Sequence, residues 1–371
     1  MKAGAVFPGQ RRAEVVALDE PKLSSPNQVK LRMLEVGVCG TDREICHFRY
    51  GTPPEGFEFL VLGHESLGEV VETGSAVTRV RCGDLVTPMV RHACPHADCA
   101  ACRSGHQDFC STGEFRERGI KQLHGFMTDF VVDDEKHLHP VPRELREVAV
   151  LVEPLTIAEK ALLQIRAIEQ RLPWNTSINP ADSCGNAVVL GAGPVGLLGA
   201  MALVNAGYRT YIYSREATTD FRSGLAASFG AQYISSQEQS IAQLSTLAGN
   251  IDVVYEATGA SQTAFDMLEA LGANGVFVLT GVPRHGEPVS IHTERLARNL
   301  VLKNQMILGT VNAGRDAFEA AIRDLGIFHE RWPAAVHALI TRRYPLDRFT
   351  EPVFETESPG IKNVIVLDGN I

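Results

Sequence analysis

The chain has 371 residues, 44% hydrophobic and 21% charged. That balance excludes general disorder and allows about two to three domains of ~150 residues each. The net charge of −9 argues against a nucleic-acid phosphate backbone as partner.

The N-terminus, MKAGAVFPGQRRAEVV, has neither the apolar run nor the small-residue cleavage site of a secretory signal. A chain of this length folds without disulfides, so the expected compartment is the cytoplasm, with reduced thiols. Residues 1–155 read as β-rich, with short branched runs bounded by Gly, Pro and Asp at 29–40, 63–74 and 83–90. From Asn186 strand and helix alternate. AVVLGAG reads as a buried strand, PVGLLGAMALVNAG as a helix ending at Gly207, TYIYSR as a strand and DFRSGLAASFG as a helix. VVYEATG and GVFVLTGV read as strands around the helix TAFDMLEAL, and QMILGTVN reads as the last strand of this alternation. This alternation implies α/β architecture, a doubly wound parallel sheet with helices on both faces. Beyond Asn312 come a helical stretch, DAFEAAIRDLG, and a last strand, NVIVLDG. The segment 171–186 is rich in Pro, Asn and Ser and reads as a linker or surface loop. The apolar run 187–204 has the length of a membrane span, but Gly191, Gly193, Pro194 and Gly196 make it a strand, a turn and a helix.

Gly191-Ala192-Gly193-Pro194-Val195-Gly196 matches G-x-G-x-x-G between a predicted strand and a predicted helix, the context that makes the pattern a dinucleotide site. The second strand ends on Ser214 and Arg215 rather than on the acidic residue typical of NAD sites. A hydroxyl beside a guanidinium suits a 2′-phosphate, so NADP is favoured. Glu216 stands close by and keeps use of NAD open.

Cys94, Cys99, Cys102 and Cys110 offer four thiolates at close spacing, the ligand set of a closed, structural Zn²⁺ site. His92, His96 and His106 lie in the same stretch as substitute ligands. Cys39, Cys46, Cys82 and Cys184 are dispersed, and by default each is a small buried hydrophobe. Spacing alone does not assemble a second metal site from Cys39, His64, Glu65 and Glu153, though their types suit an open catalytic zinc.

The strings GVCGTD, GHE, the cysteine cluster, VEPL and GAGPVG follow one another in that order over most of the chain. In this the sequence resembles the zinc-dependent medium-chain dehydrogenases, and within them the glucose dehydrogenase branch known from archaea. CGTDREI, with Glu44 where ordinary alcohol and polyol dehydrogenases tend to carry His, ERGI followed by HGFM, VEPLTIAEKAL and LGTVNAG are similar to that branch. The four-residue spacing between Cys94 and Cys99 departs from the usual two and lengthens that loop.

The resemblance implies a GroES-like catalytic domain from residues 1–155 and 315–371 and a Rossmann domain over 156–314. It implies that Cys39, His64, Glu65 and Glu153 surround a catalytic zinc, with either glutamate as direct ligand. It further implies that Thr41, Glu117, Glu153 and Asn312 meet the sugar. Thr280, Gly281, Val282, Thr310, Val311 and Asn312 are then expected to line the nicotinamide pocket. The implied reaction is NAD(P)-dependent oxidation of an aldose, foremost D-glucose, at C1 to the lactone. Zinc acts there as Lewis acid, and Thr41 passes the proton toward solvent. The implied partners are a small sugar and further copies of the chain, as dimer or tetramer, with no nucleic acid and no membrane. Two alternatives stand beside it: a zinc polyol or alcohol dehydrogenase, and a non-catalytic zinc- and nucleotide-binding regulatory protein.

Overall fold

The strand Gln28–Gly37 organises the first half of the structure: Val29, Leu31 and Met33 alternate with polar residues and face the core, and from Met33 to Gly37 the strand is buried on both faces. It pairs antiparallel with Glu65–Thr73, Phe130–Asp134 and Lys362–Val366. The resulting seven-stranded sheet also takes in Leu85–Pro88, Leu138–Val141 and Ile340–Pro345. Strands from both ends of the chain thus share one sheet, over a core that includes Leu31, Met33, Val36, Phe126 and Ile365. A small three-stranded sheet joins Arg91–His92, Arg116–Arg118 and Gln122–Leu123. This computed structural model describes residues 1–174, 185–283, 288–354 and 360–367.

The chain divides into two compact units. One comprises Met1–Thr156, Asn312–Glu330 and Val336–Ile371, the other Ile157–Val311 and Arg331–Ala335. The expected boundaries stood at 155/156 and 314/315.

The second unit is a six-stranded parallel sheet. Its order is Gln232–Ser235, Arg209–Ser214, Asn186–Leu190, Ile251–Glu256, Val276–Leu279, Met306–Gly309. Numbered along the chain this is 3-2-1-4-5-6, the doubly wound dinucleotide-binding order, with its switch point beside the first strand. Elements here without a counterpart in the sequence reading include the strand Gln232–Ser235 and the helices Ile241–Ala248 and Thr293–Leu302. Of the expected linker, residues 175–184 lie outside the described residues, as does Cys184. No described helix is long and apolar enough to cross a membrane, and the run 187–204 folds as the strand Asn186–Leu190 and the helix Pro194–Asn205.

Candidate active site

In the first unit, Cys39 is the extended residue that caps the short helix Gly40–Cys46. Asp42, fully buried, ties this turn together: one carboxylate oxygen accepts from the Cys39 amide at 2.8 Å. Its other oxygen accepts from the Gly63 amide at 3.4 Å and lies 3.5 Å from His64 Nδ1. One carboxylate therefore links the loop of Cys39 to the loop of His64. The Cys39 thiol, His64 and Glu65 bring their ligand atoms within 4.8 Å of one another. His64 Nδ1 is buried without a hydrogen-bond partner, and a ligating imidazole characteristically turns its second nitrogen to a carboxylate in this way. Burial opposes the charged imidazole, but Asp42 and Cys39 outweigh it and hold His64 well above its ordinary range. A metal ion would displace that proton. Three donors of Cys, His and carboxylate type fit a catalytic zinc.

Glu65 has a second partner that gave no sequence signal. Its Oε2 accepts from Lys362 Nζ at 2.5 Å, and both side chains are at most 2% exposed. Lys362 also donates to Val38 O at 3.3 Å. Glu153, in the first turn of the helix Val152–Glu169, is not in the group within 4.8 Å. It lies within electrostatic reach of His64, Glu65 and Lys362, and burial pushes its carboxyl up to about 7. Thr41 follows Cys39 by two residues, its hydroxyl 3.9 Å from Sγ.

Glu117 sits on the small sheet directly opposite Arg91. Arg91 Nε and Nη2 donate to Glu117 Oε1 at 3.0 and 2.9 Å, and Asn312 Nδ2 donates to the same oxygen at 2.8 Å. Asn312 adopts φ +58°, a left-handed conformation that asparagine tolerates, and its Oδ1 accepts from the Ala313 amide. Arg91 is fixed in turn by Asp108 O at 3.2 Å and by the Phe115 ring 3.7 Å away. The structure thus joins two expected sugar residues, Glu117 and Asn312, through an arginine whose part the sequence did not reveal.

The next residue along each strand anchors the back of the same small sheet. Arg118 donates to Asp133 Oδ2 at 3.1 and 2.8 Å, and His137 Nδ1 lies 2.8 Å from Asp133 Oδ1. Burial works against the Asp133 charge, but Arg118 and His92 hold its carboxyl well below the usual range. His92 stacks on His137 at 3.8 Å in this cluster. With Arg118 neutralising Asp133, the cluster has no deficit for a cation to fill.

The four sulfurs of Cys94, Cys99, Cys102 and Cys110 also lie within 4.8 Å of one another, Cys99 and Cys110 at 4.0 Å. A zinc–thiolate tetrahedron has sulfur–sulfur edges of ~3.8 Å, so the cage fits the ion. Hydrogen bonds from Thr112 and from backbone amides overcome burial and bring Cys110 down to about 6, which favours the ligating thiolate. His96 instead meets Glu114 at 2.9 Å, and His106 is exposed. Cys46 is buried as expected; Cys82 is exposed, because it occupies the tight turn before Gly83 rather than a strand.

In the second unit the glycine motif divides its roles. Gly191 has φ +100°, and an added Cβ would strike Thr258. A Cβ on Gly196 would collide with the Gly191 carbonyl, so helix and strand need that glycine to pack. At Gly193, which caps the helix Pro194–Asn205, a Cβ would meet nothing within 4 Å. That open cradle at a helix N-terminus fits a pyrophosphate. Ser214 Oγ accepts from the Ala192 amide at 3.2 Å and donates to Glu216 Oε2 at 2.5 Å. Burial opposes the Glu216 charge, yet Ser214, Arg222 and Arg215 keep its carboxyl below the usual range. Arg215 is exposed. Thr280 and Gly281 follow the strand Val276–Leu279 and are pinned to Glu256, and Val282 is 77% exposed. Thr310 accepts from Gln164 at 2.9 Å, and Val311 O accepts from Lys160 at 3.0 Å.

Comparison with known proteins bears on the whole chain. The family described as glucose dehydrogenase C-terminus matches residues 146–367, and the alcohol dehydrogenase GroES-like domain matches residues 25–143. The chain is 37% identical to a glucose 1-dehydrogenase of Methanocella arvoryzae, over 95% of each sequence. It is 39% identical to one of Thermoproteus tenax, again over 95% of each. Among solved structures, a Haloferax mediterranei glucose dehydrogenase in complex with NADP, Zn and gluconolactone superposes with a TM-score of 0.88 at 33% identity, covering all of both chains.

Proposed function

The chain belongs to the glucose dehydrogenase family of zinc-dependent medium-chain dehydrogenases, and on that footing we propose that it oxidises an aldose, foremost D-glucose, at C1 to the lactone with NADP. The observation that carries the substrate class is the buried Glu117 carboxylate. Among the described residues every donor to it meets Oε1, which leaves Oε2 to accept from a sugar hydroxyl. Ionised acceptors bind vicinal hydroxyls strongly, and a fixed acceptor rejects deoxy analogues. Asn312 adds a second polar group at the same place.

Cys39, His64 and Glu65 would hold the catalytic zinc, with Glu153 as a second carboxylate near it, and Cys94, Cys99, Cys102 and Cys110 would hold the structural one. When bound, the metal supplies a Lewis acid and the nicotinamide a hydride acceptor. Asp42 keeps the Cys39 and His64 loops in register. Lys362 balances the Glu65 charge where both side chains are buried. Thr41 carries the proton of the reacting hydroxyl toward solvent. Gly191, Ala192, Gly193, Pro194, Val195 and Gly196 receive the pyrophosphate, and Ser214 and Arg215 meet the adenosine ribose end. Thr280, Gly281, Val282, Thr310, Val311 and Asn312 serve the nicotinamide end. The exposed edge strand Met306–Gly309, with Val301 and Leu302 exposed just before it, supports a homo-oligomer.

The test is NADP reduction against glucose, galactose, xylose, sorbitol and ethanol, with zinc content measured on the same sample. Turnover of aldoses supports the reading. Turnover of sorbitol or ethanol alone makes the chain a polyol or alcohol dehydrogenase, and tight NADP binding without any turnover makes it a binding protein.

Cofactor choice has its own test. Arg215→Ala should raise the Michaelis constant for NADP by about tenfold, the worth of one charge-assisted contact, and leave that for NAD nearly unchanged. Glu216→Gln should improve NADP use, because it removes a carboxylate from the edge of a phosphate subsite. Equal effects of Arg215→Ala on both cofactors would refute the assignment.

A further inference from the structure

Tyr50 is an exposed aromatic side chain that no step above employs. It is 56% exposed, in the loop between the helix Gly40–Cys46 and the strand Leu60–Val61. An exposed aromatic ring on a mobile tip would need no explanation, but this loop is fixed. The Thr52 amide donates to Ile120 O at 2.9 Å, and Thr52 O accepts from the Gln122 amide at 2.8 Å. Those partners belong to the tight turn that starts at Glu117, whose own backbone exchanges hydrogen bonds with Lys121 at 2.8 and 2.9 Å. Just before Thr52, Gly51 adopts φ +87°, and a Cβ added there would press on Ile45, so this turn next to Tyr50 requires glycine. The phenol lies within electrostatic reach of Glu117, Arg91 and His64 together. The loop that carries this exposed ring is therefore tied to the turn of the sugar carboxylate, with the zinc-side imidazole within electrostatic reach of its phenol.

We propose that Tyr50 is a sugar platform: its ring stacks on the C–H face of the pyranose whose hydroxyls Glu117 and Asn312 bind, and so favours aldoses with an unbroken apolar face. The proposal rests on the aldose reading above. The physical ground is the shape of the sugar. With every substituent equatorial, β-D-glucopyranose turns only axial C–H bonds toward each ring face. An aromatic face carries negative charge density and attracts such polarised hydrogens. An axial hydroxyl, as at C4 of galactose, places an oxygen on the face that glucose lines with its C2 and C4 hydrogens, the face this platform takes, and spoils the contact. Tyrosine also suits the task because it offers a large rigid surface with few torsions to freeze.

The experiment compares wild type, Tyr50→Phe and Tyr50→Ala as zinc-loaded protein with saturating NADP. Steady-state kinetics are run on glucose and galactose, and calorimetry follows binding of 1,5-anhydroglucitol, which keeps the equatorial hydroxyls of glucose but cannot react. Tyr50→Ala should raise the glucose Michaelis constant about three- to tenfold, weaken 1,5-anhydroglucitol by a similar factor, and narrow the preference for glucose over galactose. NADP affinity and melting temperature should not move. Tyr50→Phe, which keeps the ring, should stay within about twofold of wild type. Unchanged sugar binding in Tyr50→Ala overturns the platform, and so does a Tyr50→Phe protein as impaired as Tyr50→Ala, since the hydroxyl would then be the contact. A wild type that oxidises no aldose and binds no 1,5-anhydroglucitol removes both the platform and the aldose reading, whereas an active wild type matched by Tyr50→Ala removes the platform alone.

Discussion

Cys39→Ala and His64→Ala proteins should lose glucose-dependent NADP reduction by at least about a thousandfold, the scale expected when Lewis-acid stabilisation of a developing oxyanion is removed. Cys39→Ala is the cleaner of the two. Asp42 holds the Cys39 backbone amide, not its thiol, so the turn keeps its tie when the sulfur is gone. The side chain is only half-buried, so its truncation leaves little cavity. His64→Ala empties a buried position and should cost some stability as well. In both proteins zinc content should fall by about one ion per chain, because Cys94, Cys99, Cys102 and Cys110 form a separate closed cage. The readouts are kcat, zinc by mass spectrometry and the thermal midpoint. Substantial turnover in either protein, or loss of all zinc from both, would sink the assignment.

The two zinc groups show what a sequence makes legible. The cysteine cluster is local, with all four candidate ligands within one loop, so residue type and spacing are enough to propose it. The catalytic group is legible only through the order of short strings along the chain, because Cys39 and His64 are brought together by strand pairing and by Asp42. Asp42 itself stood in plain view within GVCGTD, as the third residue of a short helix after an extended cysteine, a position from which a carboxylate reaches back to the capping amide. Lys362 had no such signal. It reaches Glu65 across the sheet because Lys362–Val366 pairs with Gln28–Gly37, and only tertiary structure gives that register. Arg91 was obscured for a related reason: alternation along a two-residue strand turns Arg91 toward Glu117, and nothing in a run of two residues reveals which way it faces.

Among the fold elements, the strands with glycine-rich ends were readable and Gln232–Ser235 was not, since only Tyr233 and Ile234 in it are apolar, between Gln232 and Ser235. The helix Ile241–Ala248 carried a readable start, a capping box in which the Ser240 hydroxyl accepts from the Gln243 amide and Gln243 Oε1 accepts from the Ser240 amide. Tyr50 lay beyond sequence reasoning altogether, because its loop meets the turn of Glu117 only in the folded unit, through the hydrogen bonds of Thr52 to Ile120 and Gln122.

Acid should begin to destabilise this protein before its carboxylates are neutralised, and His139 is the residue that isolates the reason. It lies in the strand Leu138–Val141, 2% exposed, with its ring stacked on Phe318 at 4.8 Å and Nε2 without a hydrogen-bond partner. Burial pushes its imidazole down to about 3, and the charges of Arg315 and Arg79 act in the same direction. In the unfolded chain the same group titrates near ~6.5. Between those values the unfolded chain binds a proton that the folded chain refuses, so stability falls as pH falls. The contribution is fully present above pH ~6.5, declines below it and is exhausted near the folded value, for a total on the order of 5 kcal/mol. His92, brought down to about 4 mainly by burial, adds to the slope with the same sign. Replacing His139 with phenylalanine keeps a flat ring against Phe318 and removes the titrating group. Denaturant midpoints of wild type and His139→Phe, compared at about pH 7 and about pH 4.5, should show the variant losing about 2–3 kcal/mol less stability than wild type. Zinc loss in acid weakens both proteins alike and cancels in that difference. Equal losses would mean that the folded chain admits a proton at His139 and that this histidine is not what makes the fold acid-sensitive.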